Sequence, residues 1–499
     1  MGFIPSLSSR MSVDTSMLGL VLGPVVFLVI LLVEGMVMMD PAPRIVLALV
    51  AWMVVWWITN AIPLYATALL PLVVLPASNV IQISSIATNY ADRTIFLLLG
   101  SLMLARAIEV SGLHRRFAIR LLLMLGNDSK SILGGFILVT ALLSAFMSNT
   151  VVAAMMIPLA LSIISVMDEE HRRRIAPALM IVIAYSASIG GVITLVGTPP
   201  NLIFASIASD MGYDVTFLSW LPIGLPVGSI LLLLLWLYLL YVHRLRDVKV
   251  IESRDVVIDE ANRLGRISRR EKAVLAVFIA TIAAWMSRGA WGSYLPGVDD
   301  AVIAVSAALL LFAIRVKDED ESKEKDDANI KGRVGVGVGR GEVRLLTWDE
   351  ASRIPWGVLV LIGGSLALAN AFTATGLDKI VASALAIEAS PSLMILFITT
   401  VTVFITELMS NTAVATLMLP VVSSVAEHVG MEPLQLMLAA TLAATLSFML
   451  PVATPPNAMA FASGYLTVAY MVRMGFMMNL FSISVITALV YIITPYVRF

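Results

Sequence analysis

Long apolar runs recur along the chain from residue 17 to the C-terminus. One membrane crossing needs about 20 apolar residues, and several of these runs are longer and are interrupted by Gly, Pro or polar residues. The pattern predicts an all-α polytopic membrane protein with about eleven transmembrane helices and two re-entrant hairpins that enter the membrane without crossing it. The runs are 17–38, 44–77, 95–111, 131–167, 176–207, 217–242, 273–287, 300–315, 355–374, 391–426, 433–463 and 467–497.

The composition agrees with a membrane protein. Of the 499 residues, 59% are hydrophobic and 13% are charged, whereas about a quarter of an average soluble domain is charged. So few charges exclude a soluble enzyme and a disordered chain, and a net charge of −1 excludes the basic field of a nucleic-acid binder. The absence of cysteine excludes disulfides, thiolate catalysis and cysteine-based metal sites.

Basic residues predict the orientation of the chain, because Lys and Arg concentrate on the cytoplasmic side of membrane proteins. The segment 243–272 carries nine of the 33 Lys and Arg residues. We expect this segment and the polar segment 317–353 to be cytoplasmic loops. The basic residues near Lys130 and at 172–174 are expected on the same side, whereas 210–214 has no Lys or Arg and is expected outside.

The chain also contains an internal repeat. Residues 144–160 match 406–422 at an offset of 262, with eight of the seventeen positions identical. Two further pairs of blocks keep the same order at similar offsets, so the two halves of the chain are predicted to share one fold. The matched motifs are Ser148-Asn149-Thr150 with Ser410-Asn411-Thr412, Gly100-Ser101 with Gly364-Ser365, and Thr198-Pro199-Pro200-Asn201 with Thr454-Pro455-Pro456-Asn457.

Each Ser-Asn-Thr tripeptide lies between two apolar arms. In the first copy the arms are 131–147 and 151–166, each ~24–26 Å long as a helix and short for a ~30 Å hydrocarbon core. Both ends of this unit are basic, whereas Glu427, His428 and Glu432 follow the second unit without a Lys or Arg. The first hairpin is therefore predicted to enter from the cytoplasm and the second from outside. In such an inverted repeat the two tips meet inside the membrane, where broken backbone must be buried or line a cavity.

The tips and the Thr-Pro-Pro-Asn breaks predict two kinds of site. A broken helix frees carbonyl oxygens, and Ser, Thr and Asn side chains add neutral oxygen ligands that suit Na⁺. Proline fits the first turn of a new helix, so Thr198 and Thr454 are expected N-caps of helices whose N-termini attract an anion. In the alternative interpretation, Ser, Asn and Thr only cap broken helices, but two matched copies favour a site. The donors expected to bind carboxylate oxygens are Asn149, Thr150, Asn411 and Thr412.

Glu407 is a charged residue inside the second apolar block, where the first block has Ala145. An intramembrane acid is costly and is a functional hypothesis by default. Two interpretations are open for Glu407: a proton site, or a structural acid bonded to the backbone of the hairpin.

These motifs resemble those of the divalent anion/sodium symporter family, which contains dicarboxylate and citrate transporters. The resemblance covers nearly the whole chain and includes the paired Ser-Asn-Thr and Thr-Pro motifs. It also includes the segment Trp56-Trp57-Ile58-Thr59-Asn60-Ala61-Ile62-Pro63, in which many bacterial members carry an acid at the position of Asn60.

The resemblance implies a homodimer in the cell membrane that works as an elevator. A scaffold domain of residues 17–125 and 273–385 would hold the dimer, and a transport domain of residues 131–242 and 391–499 would move. The implied Na⁺ ligands are Ser144, Ser148, Asn149 and Gly197 at one site, and Thr406, Ser410, Asn411 and Ala453 at the other. The implied substrate-binding residues are Asn149, Thr150, Thr198, Asn411, Thr412, Thr454 and Pro455.

We therefore expect a sodium-coupled symporter that imports C4-dicarboxylates such as succinate, malate or fumarate. Some family members are exchangers with basic side chains at the Na⁺ positions, whereas this chain has small hydroxyl and amide residues there, which favours symport. A sodium-independent exchanger and a sodium-coupled carrier of citrate or sulfate stay open as alternatives. An enzyme is disfavoured because the chain lacks His-Glu-x-x-His and Gly-x-Ser-x-Gly, and a channel because broken helices in an inverted repeat suit alternating access.

Overall fold

The structure is a computed structural model that describes residues 7–33, 39–124, 128–244, 253–317, 342–385 and 390–496. Within these ranges the first part of the chain contains the helices α1 Leu7–Leu32, α2 Pro41–Thr59, α3 Leu64–Thr67, α4 Leu70–Ala77, α5 Ile83–Asn89, α6 Arg93–Val110, α7 Leu113–Met124, α8 Ser129–Ser144, α9 Asn149–Ser165, α10 Glu169–Ile193, α11 Pro199–Asp210 and α12 Phe217–His243. The later part contains α13 Ser253–Leu264, α14 Arg269–Trp291, α15 Asp300–Ala313, α16 Trp348–Ala351, α17 Trp356–Thr375, α18 Leu377–Leu385, α19 Pro391–Thr406, α20 Asn411–His428, α21 Pro433–Thr445, α22 Pro455–Ala462 and α23 Val468–Ile493, followed by one 3₁₀ turn at Thr494–Tyr496.

The prediction of a helical membrane protein is confirmed, with one small addition. Two short strands, β1 Arg315–Lys317 and β2 Glu342–Arg344, pair antiparallel with Arg315 opposite Arg344. They bracket residues 318–341, the part of the predicted loop 317–353 that lies outside the described residues. The other predicted loop, 243–272, is not all irregular, because it contains α13 and the first turn of α14.

The helix order repeats as the sequence predicts. Helices α8 and α9 have their counterparts in α19 and α20, and the pairs begin and break at positions 262 residues apart. The interrupted pair α10 and α11 matches α21 and α22, and α12 matches α23. The contacts between the halves are reciprocal: α9 packs on α22, and its counterpart α20 packs on α11. The second arm of each hairpin therefore packs against the broken helix of the other half.

Seven described helices are long and apolar enough to cross a membrane. The number is eight if Ile83–Val110 and Leu113–Met124, which are bent relative to each other, form one span. The four hairpin arms are shorter, with 16 to 18 residues each. Such lengths are those expected of re-entrant arms. The count of eleven crossings stays a prediction, because breaks divide several apolar segments into helices too short to be counted by length.

The matched glycines Gly100 and Gly364 lie where helices cross closely. A Cβ atom at Gly100 would lie 2.4 Å from the carbonyl carbon of Ala304 on α15, and one at Gly364 would lie 2.2 Å from the carbonyl oxygen of Ala68 after α3. Both glycines are therefore needed for the packing of α6 and α17, the equivalent helices of the two halves.

Helix α10 lies at the centre of the molecule, since 94% of its apolar span is buried. Tyr185 on this helix donates a hydrogen bond to the carbonyl oxygen of Phe448 at 2.7 Å, which joins the first half to the broken segment of the second. Asn60 ends α2 in the left-handed conformation with φ 48°, a conformation that Asn tolerates better than most residues. This turn carries the Trp-Trp segment to the edge of the site.

Candidate functional site

The two hairpin tips are breaks of four residues each, 145–148 and 407–410. Ser148 and Ser410 occupy the N-cap positions of α9 and α20, but neither side chain makes a capping hydrogen bond. The two asparagines that follow are the first helical residues. The capping interpretation therefore fails for the two serines, and their hydroxyl groups are free for another ligand.

Behind each tip, one hydroxyl group faces two acceptors. Ser144 Oγ lies 2.6 Å from Asn149 Oδ1 and 2.7 Å from the carbonyl oxygen of Ala187. In the second repeat, Thr406 Oγ1 lies 2.9 Å from Asn411 Oδ1 and 2.7 Å from the carbonyl oxygen of Ala444. A hydroxyl group has one proton and donates to one acceptor at a time. Each tip therefore holds more oxygen acceptors than donors, which is what a small cation needs.

The two breaks add further oxygens. Asn201 Nδ2 donates to the carbonyl oxygens of Gly191 at 3.2 Å and Thr194 at 2.9 Å, and Asn457 Nδ2 donates to the equivalent oxygens of Ser447 and Leu450. Both amide groups are fully buried, and neither Oδ1 atom has a hydrogen-bond partner. Both asparagines end a matched Thr-Pro-Pro-Asn motif, from which no role was predicted for them. The structure makes them positioning residues for the breaks.

Glycine is required beside the first tip. A Cβ atom at Gly197 would lie 2.5 Å from the carbonyl oxygen of Gly191, and one at Gly191 would lie 3.0 Å from Asn149 Oδ1. The oxygens of Asn149, Gly191 and Gly197 are therefore close together around a space that any side chain would fill. This cradle of neutral oxygens fits Na⁺.

The two Thr-Pro-Pro breaks end as predicted, with Thr198 and Thr454 at the N-cap positions of α11 and α22. The capping bond forms only at Thr454, whose Oγ1 accepts from the N–H of Asn457 at 3.3 Å. Thr198 is 4% exposed and makes no such bond, so its hydroxyl group keeps its capacity for a ligand.

Both tips and both breaks line one cleft of about 850 Å³, inside the range of ~300–1,000 Å³ typical of small-molecule sites. Of the predicted Na⁺ residues, Ser144 and Thr406 lie fully buried behind it. The opposite wall comes from the predicted scaffold and includes Trp57, Asn60 and Ser101. Predicted substrate residues in the lining are Asn149, Thr150, Thr198, Asn411, Thr412, Thr454 and Pro455, and predicted Na⁺ residues there are Ser148, Asn149, Gly197, Ser410, Asn411 and Ala453.

The comparison with protein families agrees with this geometry. A family model described as "Sodium:sulfate symporter transmembrane region" matches residues 14–496. The chain belongs to this family.

Curated relatives match over nearly their whole length. The chain is 36% identical over 495 residues to the sodium-dependent dicarboxylate transporter SdcS of Staphylococcus saprophyticus, covering 96% of this chain and 91% of the relative. It is 35% identical over 497 residues to SdcS of Staphylococcus aureus strain USA300, covering 96% and 92%. This member of the symporter family is therefore a multi-pass transport protein of the cell membrane and not an enzyme.

A solved structure shares the fold. The YdaH transporter of Alcanivorax borkumensis, described as having an unusual topology, superposes with a TM-score of 0.56 at 13% identity, covering 91% of this chain and 99% of that one. At this identity the match concerns the fold alone.

The two tips of this symporter-family member differ in how they are covered. Phe146 at the first tip packs edge-on against Phe278 of α14, with ring centroids 5.2 Å apart. Its counterpart Leu408 is 71% exposed, and nearby Val452 is 83% exposed. The apolar side chain of the first tip is therefore packed against α14, whereas that of the second tip is exposed.

The cleft carries no formal charge on its walls: none of the described residues that line it is acidic or basic. Four helix N-termini face it instead, at Asn149, Pro199, Asn411 and Pro455. Helices α9 and α20 present backbone N–H groups and the positive end of the helix dipole. Helices α11 and α22 begin with two prolines, which have no N–H, and contribute the dipole. The site therefore offers neutral donors to an anion and neutral acceptors to cations.

Glu407 accepts hydrogen bonds from three backbone N–H groups of the unwound segment after α21. This geometry agrees with the interpretation as a structural acid. In the loops between membrane-spanning helices, Tyr213 after α11 donates to Glu432 before α21 and so joins the two halves, and this bond raises the pKa of Tyr213 to about 12.

Proposed function

We propose that this protein is a sodium-coupled symporter that imports C4-dicarboxylates. The observation that carries the proposal is the uncharged cleft between four helix N-termini and two acceptor-rich tips. A dianion in such a cleft meets no basic side chain, so its charge must be balanced by cations that enter with it. Na⁺ in the two oxygen cradles supplies that balance.

The two asparagines couple ion to substrate. Each carries an amide oxygen that faces its tip hydroxyl and an amide nitrogen that can donate only. Na⁺ takes the oxygens of Asn149 with Ser144, Ser148 and Gly197, and those of Asn411 with Thr406, Ser410 and Ala453. The amide nitrogens then donate to the carboxylates, together with Thr150, Thr198, Thr412 and Thr454. Asn411 Nδ2 also donates to the carbonyl oxygen of Thr445 and has a second hydrogen for the substrate. Na⁺ strengthens the orientation that the tip hydroxyl groups give the amides, so the affinity for the dianion rises when the ions bind.

Two separate clamps favour a substrate with two separate carboxylates. Asn149 with Thr150 and Asn411 with Thr412 belong to different halves of the chain and stand on opposite sides of the inverted repeat. A C4-dicarboxylate places one carboxylate on each clamp, whereas sulfate concentrates its charge at one point. The name of the relatives supports dicarboxylates, although the family description names sulfate.

The cleft lies between the predicted transport domain, 131–242 and 391–499, and the predicted scaffold, 17–125 and 273–385. We infer an elevator movement in which the first domain carries the loaded site along the second. The scaffold holds the homodimer in this proposal.

The test is uptake of labelled succinate into proteoliposomes with an inward Na⁺ gradient or with choline instead. We expect uptake only with Na⁺, and competition by malate and fumarate but not by sulfate. Equal uptake in choline, with counterflow against internal succinate, would make the protein an exchanger. Stronger competition by citrate or sulfate would replace the dicarboxylate assignment while leaving sodium coupling in place.

A further inference from the structure

The two repeats carry side chains of different chemistry at one buried position. Glu407 follows α19 as the first residue of the second tip, and its counterpart at the first tip is Ala145. The reason is a difference in the backbone segment that each of these two positions faces. Helix α10 stays helical to Ile193, so its N–H groups are bonded internally, whereas α21 ends at Thr445 and leaves residues 446–454 irregular.

The carboxylate of Glu407 takes the place of the missing helical carbonyl oxygens. Oε1 accepts from the N–H groups of Phe448 at 2.7 Å and Met449 at 2.9 Å, and Oε2 accepts from Met449 at 3.0 Å and Leu450 at 3.1 Å. Asn479 Nδ2 on α23 donates to Oε1 at 2.8 Å. An unbonded backbone N–H in the membrane interior costs several kcal/mol, so this one side chain satisfies three costly groups.

All of these partners are donors. Glu407 is 3% exposed and forms no ion pair with any residue that the structure describes. A protonated carboxyl group would turn an O–H towards N–H groups, and its hydrogen bonds would be fewer and weaker. Glu407 therefore acts as the acceptor towards each of these partners.

The segment that Glu407 holds carries oxygens of the second tip. Ser447 Oγ donates to Asn411 Oδ1 at 3.4 Å, and the carbonyl oxygen of Thr445 accepts from Asn411 Nδ2 at 3.3 Å. Gly475 on α23 lets the segment pack closely, because a Cβ atom there would lie 2.3 Å from the carbonyl oxygen of Phe448. A shift of this backbone would move the groups that orient Asn411.

We propose that Glu407 is a positioning residue, which holds 446–450 in shape for the second Na⁺ site through its hydrogen bonds to three backbone N–H groups. This inference rests on the proposed sodium-coupled function. The second site therefore depends on a side chain that has no equivalent at the first site, where Ala145 stands.

Sodium binding to the purified full-length protein, without dicarboxylate, tests the inference. Thermal unfolding is followed in a NaCl titration in which choline chloride keeps the ionic strength constant. Glu407→Gln keeps the size but loses the charge and turns an amide N–H towards the backbone donors. We expect the Na⁺ concentration for half-maximal stabilisation to rise by about tenfold or more, because hydrogen bonds to charged groups are worth ~1.5–3 kcal/mol each.

Two further variants separate positioning from misfolding. Asn479→Leu removes one donor to Glu407 and keeps the charge, and we expect a smaller loss of Na⁺ affinity, about threefold to tenfold. Glu109→Gln is the matched control. Glu109 forms an ion pair with Arg106 at 2.7 Å and does not line the cleft. We expect this variant to bind Na⁺ as the wild type does.

The pH dependence of succinate uptake distinguishes the proton-site alternative. A Glu407→Gln protein that binds Na⁺ normally but has lost a pH dependence seen in the wild type would overturn the inference. Wild-type Na⁺ affinity in both Glu407→Gln and Asn479→Leu would also overturn it. If Na⁺ does not stabilise even the wild type, the proposed sodium coupling itself fails, and the role of Glu407 at a sodium site fails with it.

Discussion

At the scale of single residues, the site depends on two asparagines in equivalent places. Asn149 and Asn411 begin α9 and α20, and each accepts from a buried hydroxyl group on the last residue before the break. An amide group is uncharged and carries its acceptor and its donors on separate atoms, so it can serve a cation and an anion at the same time. Serine or threonine in these positions would offer one oxygen for both tasks.

We therefore predict that Asn149→Ala and Asn411→Ala each reduce sodium-dependent succinate uptake by about tenfold to a hundredfold, the cost of one or two hydrogen bonds to charged groups. Size-exclusion chromatography should show unchanged assembly, because both side chains border the cleft. Asn370→Ala, an exposed asparagine on α17, serves as the control and should transport normally. Normal uptake in both site variants would remove the site assignment.

At the scale of elements, the breaks in the helices matter more than the helices. The first break needs glycine because two backbone segments approach closely. A Cβ atom at Gly197 would lie only 2.5 Å from the carbonyl oxygen of Gly191. The second break has Ala453 in that position and is unwound over a longer stretch, with Glu407 as its support. The two halves reach similar sites by different backbone routes.

Gly197→Ala should therefore impair the first Na⁺ site without unfolding the protein. The added methyl group displaces backbone oxygens, and overpacking of this kind costs ~1–3 kcal/mol, equivalent to about a tenfold rise in the Na⁺ concentration for half-maximal uptake. Gly289→Ala is the matched control, because a Cβ atom there meets nothing within 4 Å. An unchanged sodium dependence in Gly197→Ala would place the ion elsewhere.

At the scale of the whole molecule, a polar cluster joins the two predicted domains on the side expected to be outside. Asp214, after α11, lies 3.6 Å from Arg93 on α6 and 3.3 Å from Arg288 on α14, and Arg93 also donates to Ser209 at 2.7 Å. Exposed ion pairs contribute little stability and exchange readily with water. Such a contact can break each time a transport domain moves along its scaffold.

Cross-linking tests that movement, and the chain is suited to it because it has no cysteine of its own. The double variant Arg93→Cys with Asp214→Cys should transport until a bifunctional thiol reagent joins the two side chains, and reduction of the linker should restore uptake. A pair within one helix, Glu169→Cys with Arg173→Cys, should tolerate the same reagent. Full transport by the cross-linked interdomain pair would contradict the elevator.

The class of the protein, the internal repeat and the residues that line the cleft could be predicted from the amino-acid sequence. These features are local or repeated along the chain: apolar runs, prolines at helix starts, and two Ser-Asn-Thr motifs 262 residues apart. The structure places all seven predicted substrate residues on one cleft, because matched motifs in inverted halves come together whenever the halves pack face to face.

The differences between the two halves could be seen only in the folded chain. The partners of Glu407 lie 41 to 72 residues away in sequence, and Phe146 is covered by Phe278 while Leu408 stays exposed. The unpartnered oxygens of Asn201 and Asn457 are likewise invisible in a motif. A hydrophobic pattern reports whether a residue is buried, but the partner of a buried polar group depends on distant segments that meet only in the folded protein.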